Sequence, residues 1–350
     1  MAAKVGTIIK VSSDELSSKR VGHTLIQCAD SLSLYDSWPS PTMIHVDGPY
    51  GIGGFPGDPT RYDQLPELYL PHIAAWSKAA KPNTTLWFWG TELGWATMHP
   101  LLDAAGWNYE ELNVWNKGTS HIAGNVNSKT IRGVPVVTEV CARYTRRVKL
   151  NTPSGDVLPI KDWVREEWQR SGLPLYKANE ACGVRNAATR KYLTKDDLWY
   201  FPPADMMVRM AEYLNDYGKE TSWPYYSLDG KTELTTAQWG AMRSKWNHVH
   251  GVTNVWSVPP LSGAERIRAK DGKKALHLNQ KPKRIIDYLI RTATDLGDVI
   301  WDPFAGLATV GSSSNALGRI CYCAEINESV YQHAVDRLEV DAQCPIKKAR

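Results

Sequence analysis

Short apolar runs alternate with helical patterns at both ends of this chain, but not in its middle. TLIQC (24–28), TMIHV (42–46), TLWFW (85–89) and VTEVCARY (137–144) read as buried strands, with helices at LPELYLPHIAAWSKAA (65–80) and ATMHPLLDAAG (96–106). Such alternation implies a parallel sheet covered by helices. From about Lys149 to Lys274, Pro, Gly and Trp punctuate short helical segments instead. From Leu276 to Leu338 the rhythm returns: a helix at PKRIIDYLIRTATDLG, a strand at DVIWD, a helix after Gly311 and a strand at ICYCAEI. The simplest arrangement is one α/β domain assembled from residues 1–148 and 257–350, interrupted by a mainly helical insertion over 149–256. A chain of 350 residues has room for both.

Composition narrows the class. Hydrophobic residues at 43% and charged residues at 22% argue against extended disorder. No apolar run reaches the roughly 18 residues of a membrane span, and MAAKVGTIIKVSSDE lacks the apolar core of a secretory leader. The six cysteines are scattered without a CxxC pair, so a reducing cytoplasm is expected and a zinc cluster is not. His45, His99, His248 and His250 lack companions at metal-ligand spacing; structural roles and no metal are expected. A net charge of +4 permits a polyanionic partner without demanding one.

Two places carry chemistry. The strand DVIWD ends at Asp302 and runs into PFAGLATVG and a helix, a small-residue turn that lets a ligand approach backbone N–H groups. The next strand ends in Glu325, 23 residues after Asp302, where an acid can hold ribose hydroxyls. The turn departs from GxGxxG, which disfavours a dinucleotide. The second place is Asp47-Gly48-Pro49-Tyr50, directly after TMIHV. It offers a carboxylate, a backbone carbonyl and an aromatic ring at the carboxyl edge of a parallel sheet, where ligands bind. An exocyclic amine has its lone pair delocalised into the ring. Two acceptors gripping both N–H bonds would favour a pyramidal nitrogen in the transition state. Each segment, taken alone, also reads as an ordinary turn.

Taken together, the segments resemble the amino-methylating DNA methyltransferases that use S-adenosylmethionine (SAM). WDPFAGLATVG (301–311) is similar to the family's DPFxGxGT cofactor loop, DGPY (47–50) to its [DNS]PPY motif, and HLNQKP (277–282) to its HPTQKP segment. VGHTLIQCADSL (21–32) and GVTNVW (251–256) are similar to the segments that precede those motifs. The catalytic motif comes before the cofactor loop, the order of the β class. The resemblance implies a Rossmann-like methyltransferase fold with a seven-stranded, mostly parallel sheet. It implies Asp47, Gly48, Pro49 and Tyr50 as catalytic residues. It implies Asp30, Lys281, Asp302, Phe304, Ala305, Gly306 and Glu325 around SAM. Two departures stand out: Gly48 replaces the family's first Pro, and Ala308 replaces a Gly of the loop. The carbonyl acceptor survives the first change, and Pro49 still restricts Gly48.

The insertion is the expected reader of DNA sequence. Residues 161–195 suggest a helix-turn-helix, with a helix to Arg170, a short second helix at LYKANEAC, a turn at Gly183 and a third helix. Arg185 and Asn186 would face base edges and Arg190 and Lys191 phosphates, with Thr189 on the same helix also expected at the DNA. Arg146, in RYTRRVK, would also lie along the phosphate backbone. The functional expectation is a site-specific DNA methyltransferase acting on a flipped base. Asp47 at the head of the motif tilts the target to adenine N6 over cytosine N4. Tyr50 and Phe55 would receive the base. Motif order argues against an RNA or protein amide methyltransferase, and a DNA-binding regulator without catalysis is the remaining rival. The expected partners are double-stranded DNA and, optionally, a cognate restriction endonuclease. No membrane partner is expected; the expected location is the cytoplasm, on the nucleoid.

Overall fold

A computed structural model describes residues 17–343 except 56, 120–132, 262–264 and 268–279. Residues 277–279 of the HLNQKP segment, the leader reading at residues 1–15 and Cys344 lie outside the described residues. The first stretch contributes β1 (Ser18–Val21), β2 (Thr24–Cys28), β3 (Met43–Val46), α1 (Leu65–Ala79), β4 (Thr85–Gly90), α2 (Glu92–Ala104), β5 (Trp107–Asn116) and β6 (Thr138–Arg146). The insertion holds β7 (Lys149–Asn151), β8 (Val157–Pro159), α3 (Ile160–Arg170), α4 (Lys177–Ala181), α5 (Ala187–Tyr192), α6 (Ala204–Tyr217) and α7 (Thr236–Gly240). The remainder is β9 (Val255–Ser257), α8 (Lys283–Ala293), β10 (Val299–Asp302), α9 (Thr309–Leu317), β11 (Ile320–Glu325) and α10 (Glu328–Gln343).

Nine strands form one mixed sheet in the order β1-β2-β11-β10-β3-β4-β6-β5-β9. The run β2-β11-β10-β3-β4 is parallel throughout, β6 runs antiparallel between β4 and β5, and β1 is antiparallel to β2. This is two strands more than the expected seven. The additions are edges: β1 folds back on β2, and three-residue β9 pairs with β5. β9 therefore belongs to the large sheet, although it falls inside the 149–256 stretch expected to form the insertion.

The central strands are buried on both faces, as parallel strands under two helical layers must be. Ile44, Val46, Leu86, Phe88 and Trp301 pack with α1 and α2 on one face. Met43, Trp87, Trp89 and Ile300 pack on the other face with Ile285, Leu289 and Ile290 of α8, Val310 of α9 and Leu338 of α10. The insertion has its own core, in which Trp163, Trp168, Met207, Met210, Leu214, Tyr226 and Trp239 are buried. No helix of the described residues is long and apolar enough to cross a membrane.

Candidate active site

Four neighbouring parallel strands deliver four carboxylates to one edge. In sheet order they are Asp30 just beyond β2, Glu325 ending β11, Asp302 ending β10 and Asp47 just beyond β3. Chain reversals leave this carboxyl edge open for a ligand. A cavity of about 770 Å³ runs along it, lined by Asp30, Glu325, Asp302, Phe304, Asp47 and Phe55, among others. Its volume is within the range of ligand sites.

At the cofactor-loop end, Glu325 accepts from the Gly306 N–H at 3.0 Å and the Asn327 N–H at 2.8 Å. Burial nevertheless pushes its carboxyl up. Asp30 is exposed, and its side chain accepts from the Leu32 N–H at 3.0 Å. Phe304 lies against the rings of Tyr69 and His72. Ala305 donates its N–H to Ala324, tying the loop to β11. Ala308 caps α9 at φ 52°, a left-handed conformation costing an L-residue about 1–2 kcal/mol. The chain thus carries a strained alanine where the resembling family carries glycine.

Asp302 is buried, and burial raises its pKa. His45 stands opposite it in the β3–β10 register, with Nδ1 3.2 Å from the Asp302 carboxylate. The Trp89 indole donates to His45 Nε2 at 3.0 Å. With Nε2 accepting, the ring proton sits on Nδ1 and points at Asp302. The expectation of a structural role for His45 becomes more specific: it orients a carboxylate of the cavity floor.

The DGPY end is held from three sides. The Tyr69 hydroxyl donates to the Pro49 carbonyl at 2.9 Å. A Cβ on Gly48 would lie 2.6 Å from that hydroxyl and 2.9 Å from the Phe304 ring, so the position admits no side chain without movement. Asp58 accepts from the N–H groups of Tyr50, Gly51 and Gly54 at 2.8–2.9 Å, anchoring the loop after the motif. Lys281 donates to Asp47 Oδ1 at 2.6 Å and to the Tyr50 hydroxyl at 2.9 Å, and lies 3.3 Å from Glu139 Oε2. The Tyr50 hydroxyl donates to Asp47 at 2.8 Å and also reaches Glu139 at 3.2 Å. Lys281, expected among the cofactor contacts, directs its ammonium to Asp47 and Tyr50 of the DGPY segment; a buried cation goes where carboxylates neutralise it.

Tyr69, Asp58 and Glu139 escaped the sequence reading. Only Asp58 had a signal, a carboxylate after the glycine-rich GIGGFPG, where successive N–H groups form an anion-binding concavity.

In the insertion, α3, α4 and α5 supply the three helices, but Arg185 and Asn186 precede α5 rather than opening it. Both are exposed, as are Arg190 and Lys191. Thr189 does not face outward as expected: its hydroxyl donates to the Leu175 carbonyl at 2.9 Å and its N–H to Asn179. Arg146 also departs from its expected place on phosphates. Its guanidinium donates to the carbonyls of Ala105 and Gly106 and lies 4.9 Å from the Trp107 ring centre. Those carbonyls lie just beyond the C-terminus of α2, where a cation is well placed to bind them.

Comparison with known proteins agrees with this layout. Over 66 residues the chain is 42% identical to Type II methyltransferase M.HinfI of Haemophilus influenzae, covering 19% of this chain and 18% of that protein. Over 125 residues it is 30% identical to DNA adenine methyltransferase YhdJ of Escherichia coli (strain K12), covering 33% of this chain and 40% of that one. The matched segments therefore span less than half the length of these curated relatives. The solved structure of PvuII DNA methyltransferase (cytosine-N4-specific) shares the fold, with a TM-score of 0.52 at 11% identity over 94% of this chain and 96% of its own. Residues 42–336 match the family described as DNA methylase, N6_N4_Mtase, and the chain belongs to that family.

Proposed function

We propose that this protein transfers a methyl group from SAM to the exocyclic amino group of a base flipped out of duplex DNA, with adenine N6 as the target. The observation that carries this reading is the single cavity joining the Asp30–Glu325–Phe304 end to Asp47, Gly48 and Pro49 of the tetrapeptide. The lining fits the cofactor: carboxylates at neighbouring strand ends suit hydroxyl and amino donors, and Phe304 supplies a ring face beside them. When bound, SAM supplies a methyl group carried on a sulfonium. Asp30, Glu325, Asp302 and the backbone of Phe304–Gly306 would hold it.

The chain's own work is on the amine. The Asp47 carboxylate and the Gly48 carbonyl accept the two amino N–H bonds, which favours a pyramidal nitrogen and exposes its lone pair. The proton lost after transfer goes to Asp47 or to water. Phe55 lines the cavity and bounds the base pocket, whereas Tyr50, expected beside it, is buried and does not line that cavity, its hydroxyl held by Asp47 and Lys281. Arg185 and Asn186 read bases, and Arg190 and Lys191 contact phosphates. The choice of adenine follows Asp47 and agrees with the name of the E. coli relative. The likeness to a Type II methyltransferase supports a restriction–modification role with a cognate endonuclease, in the cytoplasm.

The test is transfer of labelled methyl from SAM to duplex DNA, with digestion to nucleosides. N6-methyladenine is the expected product; N4-methylcytosine would replace the adenine assignment. Asp47→Ala should slow transfer a hundredfold or more, corresponding to about 3 kcal/mol, while affinity for the uncharged thioether S-adenosylhomocysteine stays near that of the wild type. Turnover undiminished in that variant would remove Asp47 from the site.

A further inference from the structure

Glu139 lies on β6, remote in sequence from every motif, yet its carboxylate enters the catalytic cluster. One oxygen pairs with Lys117. The other lies 3.3 Å from the Lys281 ammonium and 3.2 Å from the Tyr50 hydroxyl. Lys281 is 2% exposed at its side chain and sits between Asp47 and Glu139. Its ammonium also lies 5.0 Å from the Trp89 ring centre and 5.2 Å from that of Tyr50.

This geometry poses an electrostatic problem. Methyl transfer forms an N–C bond from the amine lone pair and breaks the S–C bond, whose electron pair stays on sulfur. One positive charge passes from sulfur to nitrogen and then leaves as a proton. A negative carboxylate at Asp47 favours that cationic path; an ammonium 2.6 Å away opposes it. If Lys281 were paired with Asp47 alone, their charges would largely cancel where the amine must sit.

We propose that Glu139 is a positioning residue that, with its other oxygen on Lys117, offsets part of the charge of Lys281, so that Asp47 keeps more negative potential toward the target amine and the methyl donor than it would beside Lys281 alone. Glu139 also gives the ammonium a second seat when the incoming amino group competes for the Asp47 oxygen. The inference rests on the methyltransferase reading above. Protonation states agree with the geometry. Burial works against charge on Lys281, but Asp47 and Glu139 more than offset it and raise its pKa. Burial likewise pushes Glu139 up, and Lys281 and Lys117 outweigh it, so the carboxyl lies below its usual range.

The experiment uses the full chain and two probes that differ only by the sulfonium methyl and its charge, SAM and its demethylated thioether, S-adenosylhomocysteine. Calorimetry gives the affinity ratio between them, which reports the local potential without any turnover. Single-turnover transfer to DNA gives the rate. Glu139→Gln should lower the preference for SAM at least fivefold and the rate at least tenfold, with its melting still cooperative. Lys281→Met, which removes the opposing charge, should shift the affinity ratio in the opposite direction. The double variant Glu139→Gln/Lys281→Met should transfer methyl faster than Glu139→Gln alone. A merely structural role cannot move the ratio both ways. Ratios equal to the wild type in both single variants, or a double variant slower than Glu139→Gln, would overturn the proposal. Should Glu139→Gln fail to fold, the Lys281→Met ratio decides alone. A wild type that binds neither probe would instead overturn the methyltransferase reading itself.

Discussion

Gly48 illustrates how a departure from a family pattern can be explained by a distant residue. The resemblance makes the missing proline conspicuous, and loss of rigidity is the only consequence visible from sequence. The structure supplies the cause: Tyr69, twenty-one residues away on α1, fills the space where a Cβ would project and takes over restraint by binding the Pro49 carbonyl. Gly48→Ala should therefore cost about 1–3 kcal/mol through overpacking. Tyr69→Phe, which removes the hydroxyl, should recover part of that loss. Denaturant unfolding of the two single variants and the double variant should give a coupling of at least about 0.5 kcal/mol; strict additivity would refute the steric account. The tetrapeptide itself and the acids Asp30, Asp302 and Glu325 were legible, because each ends or closely follows an apolar strand. Tyr69, Asp58 and Glu139 were not, because they act through contacts that no local pattern encodes.

At the level of elements, the strands that could be read were the predominantly apolar ones. β2, β3, β4, β6, β10 and β11 lie where they were expected. β5 went unread because WNYEELNVWN presents Tyr109 and Glu110 to solvent, and a register irregularity between Tyr109 and Glu111 breaks its alternation. β1 and β9 are short edges with little apolar content to signal them. In the middle stretch, α3, α4 and α5 were legible, α6 and α7 went unread, and the orientation of individual side chains was not visible, as Thr189 shows. The exposed segment from Arg185 to Lys191 still supports a test of recognition. Arg185→Ala should relax the methylated sequence at one base pair, a loss of about 1–3 kcal/mol in discrimination. Arg190→Ala should weaken binding to all sequences alike and flatten its salt dependence. Methylation profiling of random duplexes that shows an unchanged preference in Arg185→Ala would exclude this segment as the reader.

For the whole molecule, acid should be a weakness, and His72 is one identifiable reason. The ring projects from α1 and is buried beside the cavity, with Nδ1 2.8 Å from the Tyr35 hydroxyl. Burial pulls its pKa from 6.5 to about 4. The unfolded chain thus binds this proton at a higher pH than the folded one. The stability at stake is present above about pH 6.5 and is lost as pH falls toward 4, amounting to about 3 kcal/mol. Chemical denaturation at pH 7 and pH 4 should show His72→Gln losing about that much less than the wild type between the two; equal losses would exonerate the histidine.

The strand order has a further consequence, which concerns the ribosome. β2 and β3 emerge early, yet in the sheet they are separated by β11 and β10, which come from the last fifty-odd residues of the chain. Until those residues have left the exit tunnel, β3 lacks its β10 neighbour, and the four carboxylates cannot line one edge. At about 5–20 residues per second, most of the chain must wait many seconds with that edge unpaired. A nascent or truncated product should therefore be inert toward host DNA and prone to chaperone capture, and premature stop codons should yield no partial enzyme.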